Sequence, residues 1–278
     1  MTQQDSLPDY ARLLDAYHRA YAAELSEIVG TLIMRPGDRV LDLACGDGLY
    51  ARLLSDRAGR TGTVMAVDLS REWLDFAQSK RFDDGVSPVR YCQASAEQLP
   101  FADHSFDLVW CAQSFYSLPN PRLAVREMAR VARPGGVVGV LENDTLHHLL
   151  LPWPVEIELE TRVAELQAFT NETSRPAKYY VGRRLSAEFL RQGLEHIGEK
   201  TWATTRQAPW SEADRTFLTE YFDNLRQRIA PVLNREALAR FDAWLGVDDG
   251  HSVLDRPDFT TVCLDRLCWG IKPGVVRE

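Results

Sequence analysis

Two short stretches hold the residues best suited to chemistry. The first is Val40-Leu41-Asp42-Leu43-Ala44-Cys45-Gly46-Asp47-Gly48, where an apolar run gives way to small residues and carboxylates. Small residues let a backbone turn sharply and approach a ligand closely. The second is Asp68, which ends the apolar run 64–68. A carboxylate at such a strand end can accept hydrogen bonds from both hydroxyls of a ribose. Gly46-Asp47-Gly48-Leu49-Tyr50-Ala51 satisfies the G-x-G-x-x-[GA] pattern of dinucleotide sites, with Asp68 at the matching distance.

Charge separates the ligands that such a loop can hold. A dinucleotide places a pyrophosphate dianion at the helix N-terminus. Here Asp42 and Asp47 flank the loop, and no Lys or Arg lies between Val40 and Ala51. Unscreened carboxylates oppose a dianion by roughly a few kcal/mol at an effective dielectric of about 20. A nucleoside ligand with a cationic sulfonium and a free ammonium, and no phosphate, fits better. S-adenosylmethionine (SAM) is that ligand.

The elements that must position these residues follow from the pattern around them. Short apolar runs at 39–43, 64–68, 89–92, 106–111 and 137–142 read as strands. Segments 50–54, 72–80 and 122–131 between them have helical spacing. Continuous apolar strands alternating with helices mean a parallel sheet covered on both faces. Pro134-Gly135-Gly136 reads as the stop between the last of these helices and the fifth strand. Beyond residue 143 the rhythm changes. Val155, Leu159, Val163, Leu166 and Phe169 recur at helical spacing. A helix is expected over 185–194, a strand over 200–208, and a helix opened by the capping-box pattern at Ser211. Pro231 interrupts that helix, and Asn234 and Gly246 bracket another. Residues 259–271 read as a long final strand. The organisation expected is an N-terminal helical segment at 1–35, then a sheet domain over 36–278 with helical cap insertions at about 145–182 and 211–250.

Four segments in order, VLDLACGDG, VMAVDLS, AEQLPFADHSFDLVWC and REMARVARPGGVVGVLE, together resemble the class I SAM-dependent methyltransferases, above all the ubiquinone/menaquinone-type and small-molecule natural-product subgroup. The resemblance covers about residues 35–143. It implies an α/β, Rossmann-like, seven-stranded sheet, mostly parallel with an antiparallel last strand. It implies that Asp42 and the backbone of Ala44, Gly46 and Gly48 hold the methionine part of SAM. Asp68 would bind the ribose, Leu69 would pack on adenine, Ser95, Ala96 and Glu97 would meet the adenine edge, and Gln113 would line the methionine end. Two positions depart from the family pattern. Ala44 replaces the first loop glycine, which a negative φ would tolerate. Ser95 replaces an aspartate and accepts hydrogen bonds more weakly than a carboxylate.

Transfer of a methyl group from SAM to an O, N or activated C atom needs mainly in-line alignment. A base helps only where the acceptor holds its proton at neutral pH. The candidates follow strands four and five: Tyr116, Glu142, His147 and His148. A catechol-type metal site needs an aspartate where Gln113-Ser114 stands, so no metal is expected. Trp153, Tyr179 and Tyr180 in the first insertion suit a lid over a flat, apolar or aromatic acceptor. Arg175, Lys178, Arg183 and Arg184 are a basic cluster able to grip an anionic substrate group. Tyr10, Tyr17, His18 and Tyr21 recur at a spacing that fits a helix folded over the cofactor or a plain packing face.

Composition sets the outer limits. The chain has 278 residues, 45% hydrophobic and 26% charged, with 32 basic against 40 acidic side chains and a net charge of −8. An acidic surface disfavours a nucleic-acid partner. The longest near-continuous apolar run, residues 137–141, is far below a membrane span. Five cysteines without metal spacing, and a polar N-terminus, point to reduced thiols in a cytoplasmic protein. A small-molecule acceptor and a monomer or homodimer are expected. The other readings are a macromolecular methyltransferase, a nicotinamide-dependent oxidoreductase, and a methyltransferase fold that binds SAM or its product without methyl transfer, such as a cyclase.

Overall fold

A computed structural model of the protein describes residues 7–8, 10–80, 88–144, 147–172, 176–246 and 252–274. Its frame is a sheet of β1 (Arg39–Leu43), β2 (Thr63–Asp68), β3 (Val89–Gln93), β4 (Phe106–Ala112), β5 (Ala132–Glu142), β6 (Leu149–Leu150), β7 (Glu195–Gln207) and β8 (Thr260–Ile271). The spatial order is β3-β2-β1-β4-β5-β8. The first five strands are parallel, β8 runs antiparallel to β5, and β7 pairs antiparallel along the other edge of β8. Among the described residues the sheet has eight strands and not the expected seven. Leu149 and Leu150 continue the β5 edge of β8 by pairing with Cys263 and Val262.

Four of the five residues of β1 are buried, because helices cover both sheet faces. These are α3 (Leu49–Ala58), α4 (Arg71–Ser79), α5 (Pro121–Val131) and α7 (Leu185–Arg191), joined by α1 (Ala11–Ala20) and α2 (Ala22–Gly30). Asn120 caps α5 by accepting from Leu123 N–H, and Pro121 occupies its first turn. The Pro134-Gly135-Gly136 segment does not precede the fifth strand; it lies inside it. Gly135 takes φ +76° and its N–H donates to Lys272 O, while Gly136 O accepts from Lys272 N–H. The left-handed glycine is what lets the strand continue paired through the bend.

The later helices are α6 (Val155–Glu172), α8 (Glu212–Ile229) and α9 (Arg235–Leu245). Ser211 Oγ caps α8 by accepting from Asp214 N–H, and Asn234 Oδ1 caps α9 by accepting from Ala237 N–H. Gly246 ends α9 at φ +78°. Helix α8 packs along α1, and α6 packs on α8 and α9. The four leading residues of the α6 stripe do not face the core: Val155, Leu159, Val163 and Leu166 are 41–66% exposed. The buried face carries Ile157, Thr161, Ala164, Ala168 and Phe169. Mostly small residues there let α6 lie close to its neighbours, which an apolar count along the sequence does not detect. Trp153 stacks on Trp244 at 4.4 Å and meets Phe222 and Phe241 edge-on or tilted. It is the core between cap helices, not a lid aromatic facing a ligand.

Candidate functional site

The loop from β1 to α3 carries the strongest local constraints. Ala44 adopts φ +54°, Gly46 +49° and Gly48 +77°. The negative φ that would tolerate an alanine at this position is not the one Ala44 adopts; its methyl group sits in a left-handed conformation that costs about 1–2 kcal/mol. A Cβ on Gly46 would meet nothing within 4 Å, so glycine there serves conformation and open space. Gly48 is the residue before α3 and does not line the cavity.

Asp42 also departs from its expected role. It is buried within β1, outside the cavity wall, and one carboxylate oxygen has no partner among the described residues. Burial, with Asp68 and Asp47 nearby, pushes its carboxyl well above the ordinary range. Asp47 behaves oppositely. Burial alone would raise it, but His18, whose Nδ1 lies 3.3 Å from Oδ2, and Lys80, whose Nζ donates to Oδ2 at 2.8 Å, hold it well below the usual carboxylate value. The loop thus carries an Asp42 whose carboxyl is raised by burial and an Asp47 that is ion-paired. The picture of two bare carboxylates repelling a phosphate does not hold, because Lys80 and His18 reach the loop from helices that the sequence does not place beside it.

Beyond the loop a cavity of about 190 Å³ opens at the carboxyl ends of β1, β2 and β4. Asp68 lies on its wall, accepting from Gly46 N–H and Ser70 N–H at 2.9 Å each. Burial raises its carboxyl and these bonds pull it back. Leu69 lines the same cavity while 65% exposed, an apolar side chain left open at the rim. Ser95, Ala96 and Glu97 line it too. Ser95 Oγ accepts from Glu97 N–H, and Glu97 Oε1 accepts from Asn120 N–H at 2.6 Å. Tyr10, Leu14 and His18 close the cavity from the start and one face of α1. Trp73 of α4, 3.4 Å from the Tyr10 hydroxyl through Nε1, completes that side. Of the residues that α1 and α4 bring to this wall, Tyr10 and His18 were legible from spacing, and Leu14 and Trp73 were not.

Gln113 follows β4 at φ +50° and lines this cavity and a second one. Its Nε2 donates to the Tyr17 hydroxyl at 2.8 Å, and that hydroxyl donates to Asp265 Oδ1 at 2.6 Å. Gln113 Oε1 is buried and has no partner among the described residues. The second cavity, about 160 Å³, is walled mainly by apolar and aromatic residues of α1, α6 and α8. Tyr10, Leu14, Gln113 and Tyr116 belong to both walls, so the cavities adjoin there. Phe169, Phe217, Tyr221, Glu165 and Arg228 line the second cavity. Their pattern in the sequence marks helices but carries no signal that they converge on one space.

The four candidate bases separate. Tyr116 sits at the junction, and His148 lines the second cavity with its ring edge-on to Tyr221 at 5.7 Å. His147 does not; it turns to the surface beside Asp144 and Arg183. Glu142 lines neither of these cavities. Its Oε1 accepts from Ser114 N–H at 2.8 Å and Phe115 N–H at 2.6 Å, clasping the turn after β4. Burial lifts its carboxyl and those two bonds pull it part of the way back, leaving it at about 8. Glu142 therefore positions the Gln113–Tyr116 turn. Tyr180 stacks under Arg183, which pairs with Asp144, at a separate hollow. Arg184 is exposed. Arg175, and the side chains of Lys178 and Tyr179, lie outside the described residues.

The order of the sheet, the glycine loop after β1 and the acidic end of β2 define a class of protein. Residues 41–140 match the family model described as a methyltransferase domain. Among curated relatives it is similar to the ubiquinone/menaquinone biosynthesis C-methyltransferase UbiE of Legionella pneumophila (strain Corby), 37% identical over 128 residues, 46% of this chain and 49% of the relative. The same-named protein of Stenotrophomonas maltophilia (strain K279a) is 42% identical over 115 residues, 41% of this chain and 46% of the relative. The chain spans about half the length of the curated relatives it matches. Among solved structures, YcgJ from Bacillus subtilis aligns with a TM-score of 0.56 at 22% identity, over 91% of this chain and 99% of that one. A Haemonchus contortus phosphoethanolamine N-methyltransferase, solved with phosphomonomethylethanolamine and S-adenosylhomocysteine, aligns at 0.52 and 17% identity, over 98% of this chain and 60% of that one. These likenesses establish the fold. No described helix is long and apolar enough to cross a membrane.

Proposed function

We propose that the chain is an enzyme that transfers a methyl group from SAM to an O, N or activated C atom of a small apolar or aromatic acceptor. The observation that carries this reading is the meeting of two cavities at Gln113 and Tyr116, one over the glycine loop and Asp68, the other beneath the cap helices. The first has the features SAM requires. Asp68 offers a carboxylate for the ribose hydroxyls, Leu69 an exposed apolar surface for the adenine, and Gln113 Oε1 a buried acceptor without a partner, suited to an ammonium. Ala44, Gly46, Ser95, Ala96 and Glu97 complete that wall.

When bound, SAM supplies an electrophilic methyl carbon. The protein's task is to align an acceptor with it, and orientation can contribute up to about 7–11 kcal/mol. Tyr17 and Asp265 fix Gln113, and Glu142 fixes the turn that carries Tyr116. The apolar walls of the second cavity exclude water from the acceptor. His148 is the side chain placed to hold a proton released there.

The acceptor-side walls come from α1, α6 and α8, all outside residues 41–140. The quinone chemistry named for the UbiE relatives is for that reason not transferred to this chain. The test is incubation with methyl-labelled SAM and a metabolite extract, read by mass spectrometry. Labelled small molecules heavier by one methylene unit support the proposal. Labelled macromolecules alone, or no labelled product with intact SAM binding, contradict it.

A further inference from the structure

The wall of the first cavity carries the carboxylates of Asp47, Asp68 and Glu97, and among the described residues no Lys or Arg lines it. His18 is the one basic side chain there. It is 7% exposed, and its Nε2 is buried with no hydrogen-bond partner among the described residues. Tyr50 of α3, 5% exposed, lines the same wall, and its buried hydroxyl also lacks a partner among the described residues. The two rings meet edge to face, with centroids 5.8 Å apart. An unsatisfied buried polar group is costly, so two of them side by side on a cavity wall call for a partner that a ligand supplies. Both are suited to donate. Burial, with Asp265 and Asp47 nearby, pushes the Tyr50 hydroxyl well above its ordinary value, so it keeps its proton. His18 turns Nδ1 toward Asp47 Oδ2 at 3.3 Å. An imidazolium donates from both ring nitrogens, which leaves Nε2–H for the cavity.

We propose, on the basis of the methyltransferase reading above, that His18 Nε2 and the Tyr50 hydroxyl receive the carboxylate of the amino-acid part of SAM. An acidic wall suits the sulfonium and the ammonium of that ligand but opposes its carboxylate everywhere except beside His18. Hydrogen bonds from an imidazolium and a hydroxyl to a carboxylate are charge-assisted, and the buried setting strengthens them. The pair also lies toward the right end of the ligand. The His18 ring is 5.9 Å from that of Tyr17, whose hydroxyl accepts from Gln113. The two charges of the amino acid are thus divided, the ammonium to Gln113 Oε1 and the carboxylate to His18 and Tyr50. Asp47 acts through His18: it holds the ring by Nδ1, while Lys80 Nζ at 2.8 Å offsets its charge. Helix α1, outside residues 41–140, then grips the cofactor directly and does not merely cover it.

The test titrates the full chain calorimetrically with two matched probes: S-adenosylhomocysteine and its decarboxylated analogue, which keeps the adenosine, the sulfur and the ammonium. The wild-type chain is expected to bind S-adenosylhomocysteine about ten-fold tighter or more, equivalent to about 1.4 kcal/mol. His18→Ala is expected to erase that preference and Tyr50→Phe to reduce it about three-fold, while affinity for the decarboxylated analogue stays within about two-fold in both variants. Tyr50→Phe removes a single oxygen atom and decides the matter should His18→Ala fail to fold. Equal affinity of the wild-type chain for the two probes, a preference that survives Tyr50→Phe undiminished, or a loss of affinity for both probes alike overturns the carboxylate subsite. If S-adenosylhomocysteine fails to bind the wild-type chain, the methyltransferase reading falls as well; if it binds and the preference is absent, only this inference falls.

Discussion

The hydroxyl of Tyr17 donates to Asp265 Oδ1 at 2.6 Å, joining the first helix to the last strand across 248 residues of chain. Both groups are buried, and the same hydroxyl accepts from Gln113, which stands between the two cavities. Burial raises the Asp265 carboxyl, and the Tyr17 and Gln113 bonds pull it down. The contact locks α1 onto the sheet while fixing the side chain at the junction. Tyr17→Phe leaves a buried acceptor unsatisfied, at a cost of about 1–3 kcal/mol. Thermal unfolding should show Tm lower by roughly 2–4 °C per kcal/mol. An unchanged Tm would mean that the bond does not hold α1 in place.

Ala44 should be improvable. Replacing it by glycine relieves a left-handed alanine worth about 1–2 kcal/mol and adds about 0.4–1 kcal/mol of chain entropy to the unfolded state. Ala44→Gly is expected to raise Tm by a few degrees, on the scale of roughly 2–4 °C per kcal/mol. A fall in Tm would contradict the strain.

Glu142 makes a prediction in pH. Its folded value, about 8, lies above the ordinary 4.5, so the native state binds the proton more tightly than the unfolded chain. Stability from this group is complete below the unfolded value and is lost as pH rises from there through about 8. Glu142→Gln keeps an acceptor for Ser114 and Phe115 and removes the titration. Denaturant unfolding between those two values should give a flatter pH profile for the variant, the difference approaching at most about 1.4 kcal/mol per pH unit. Parallel profiles would refute the raised carboxyl.

The two histidines should separate. His148→Ala is expected to lower turnover of an acceptor that holds its proton at neutral pH by about 10²-fold or more, with SAM binding unchanged. His147→Ala, at the surface, should leave turnover within about two-fold on the same scale. The reverse order would reject the placement of the base.

The strands around the glycine loop were legible because a sheet covered on both faces requires apolar runs, and β1 at 39–43 matches its expected bounds. The helix starts at Ser211 and Asn234 were legible because caps are local chemistry. The site was legible only where one segment supplies it. Lys80 reaches Asp47 from 33 residues away, and Asp265 reaches Tyr17 from the far end of the chain. Nothing local marks such pairs. The alternation of Val155, Leu159, Val163 and Leu166 announced a helix but pointed to its exposed face, since small side chains made the buried one.

The most direct measurement is calorimetric titration of the wild-type chain and Asp68→Ala with S-adenosylhomocysteine and with NAD. One-to-one binding of S-adenosylhomocysteine, weakened ten-fold or more by Asp68→Ala, is expected from the loss of charge-assisted bonds worth about 1.5–3 kcal/mol each. Saturable NAD binding with no uptake of S-adenosylhomocysteine would contradict the account.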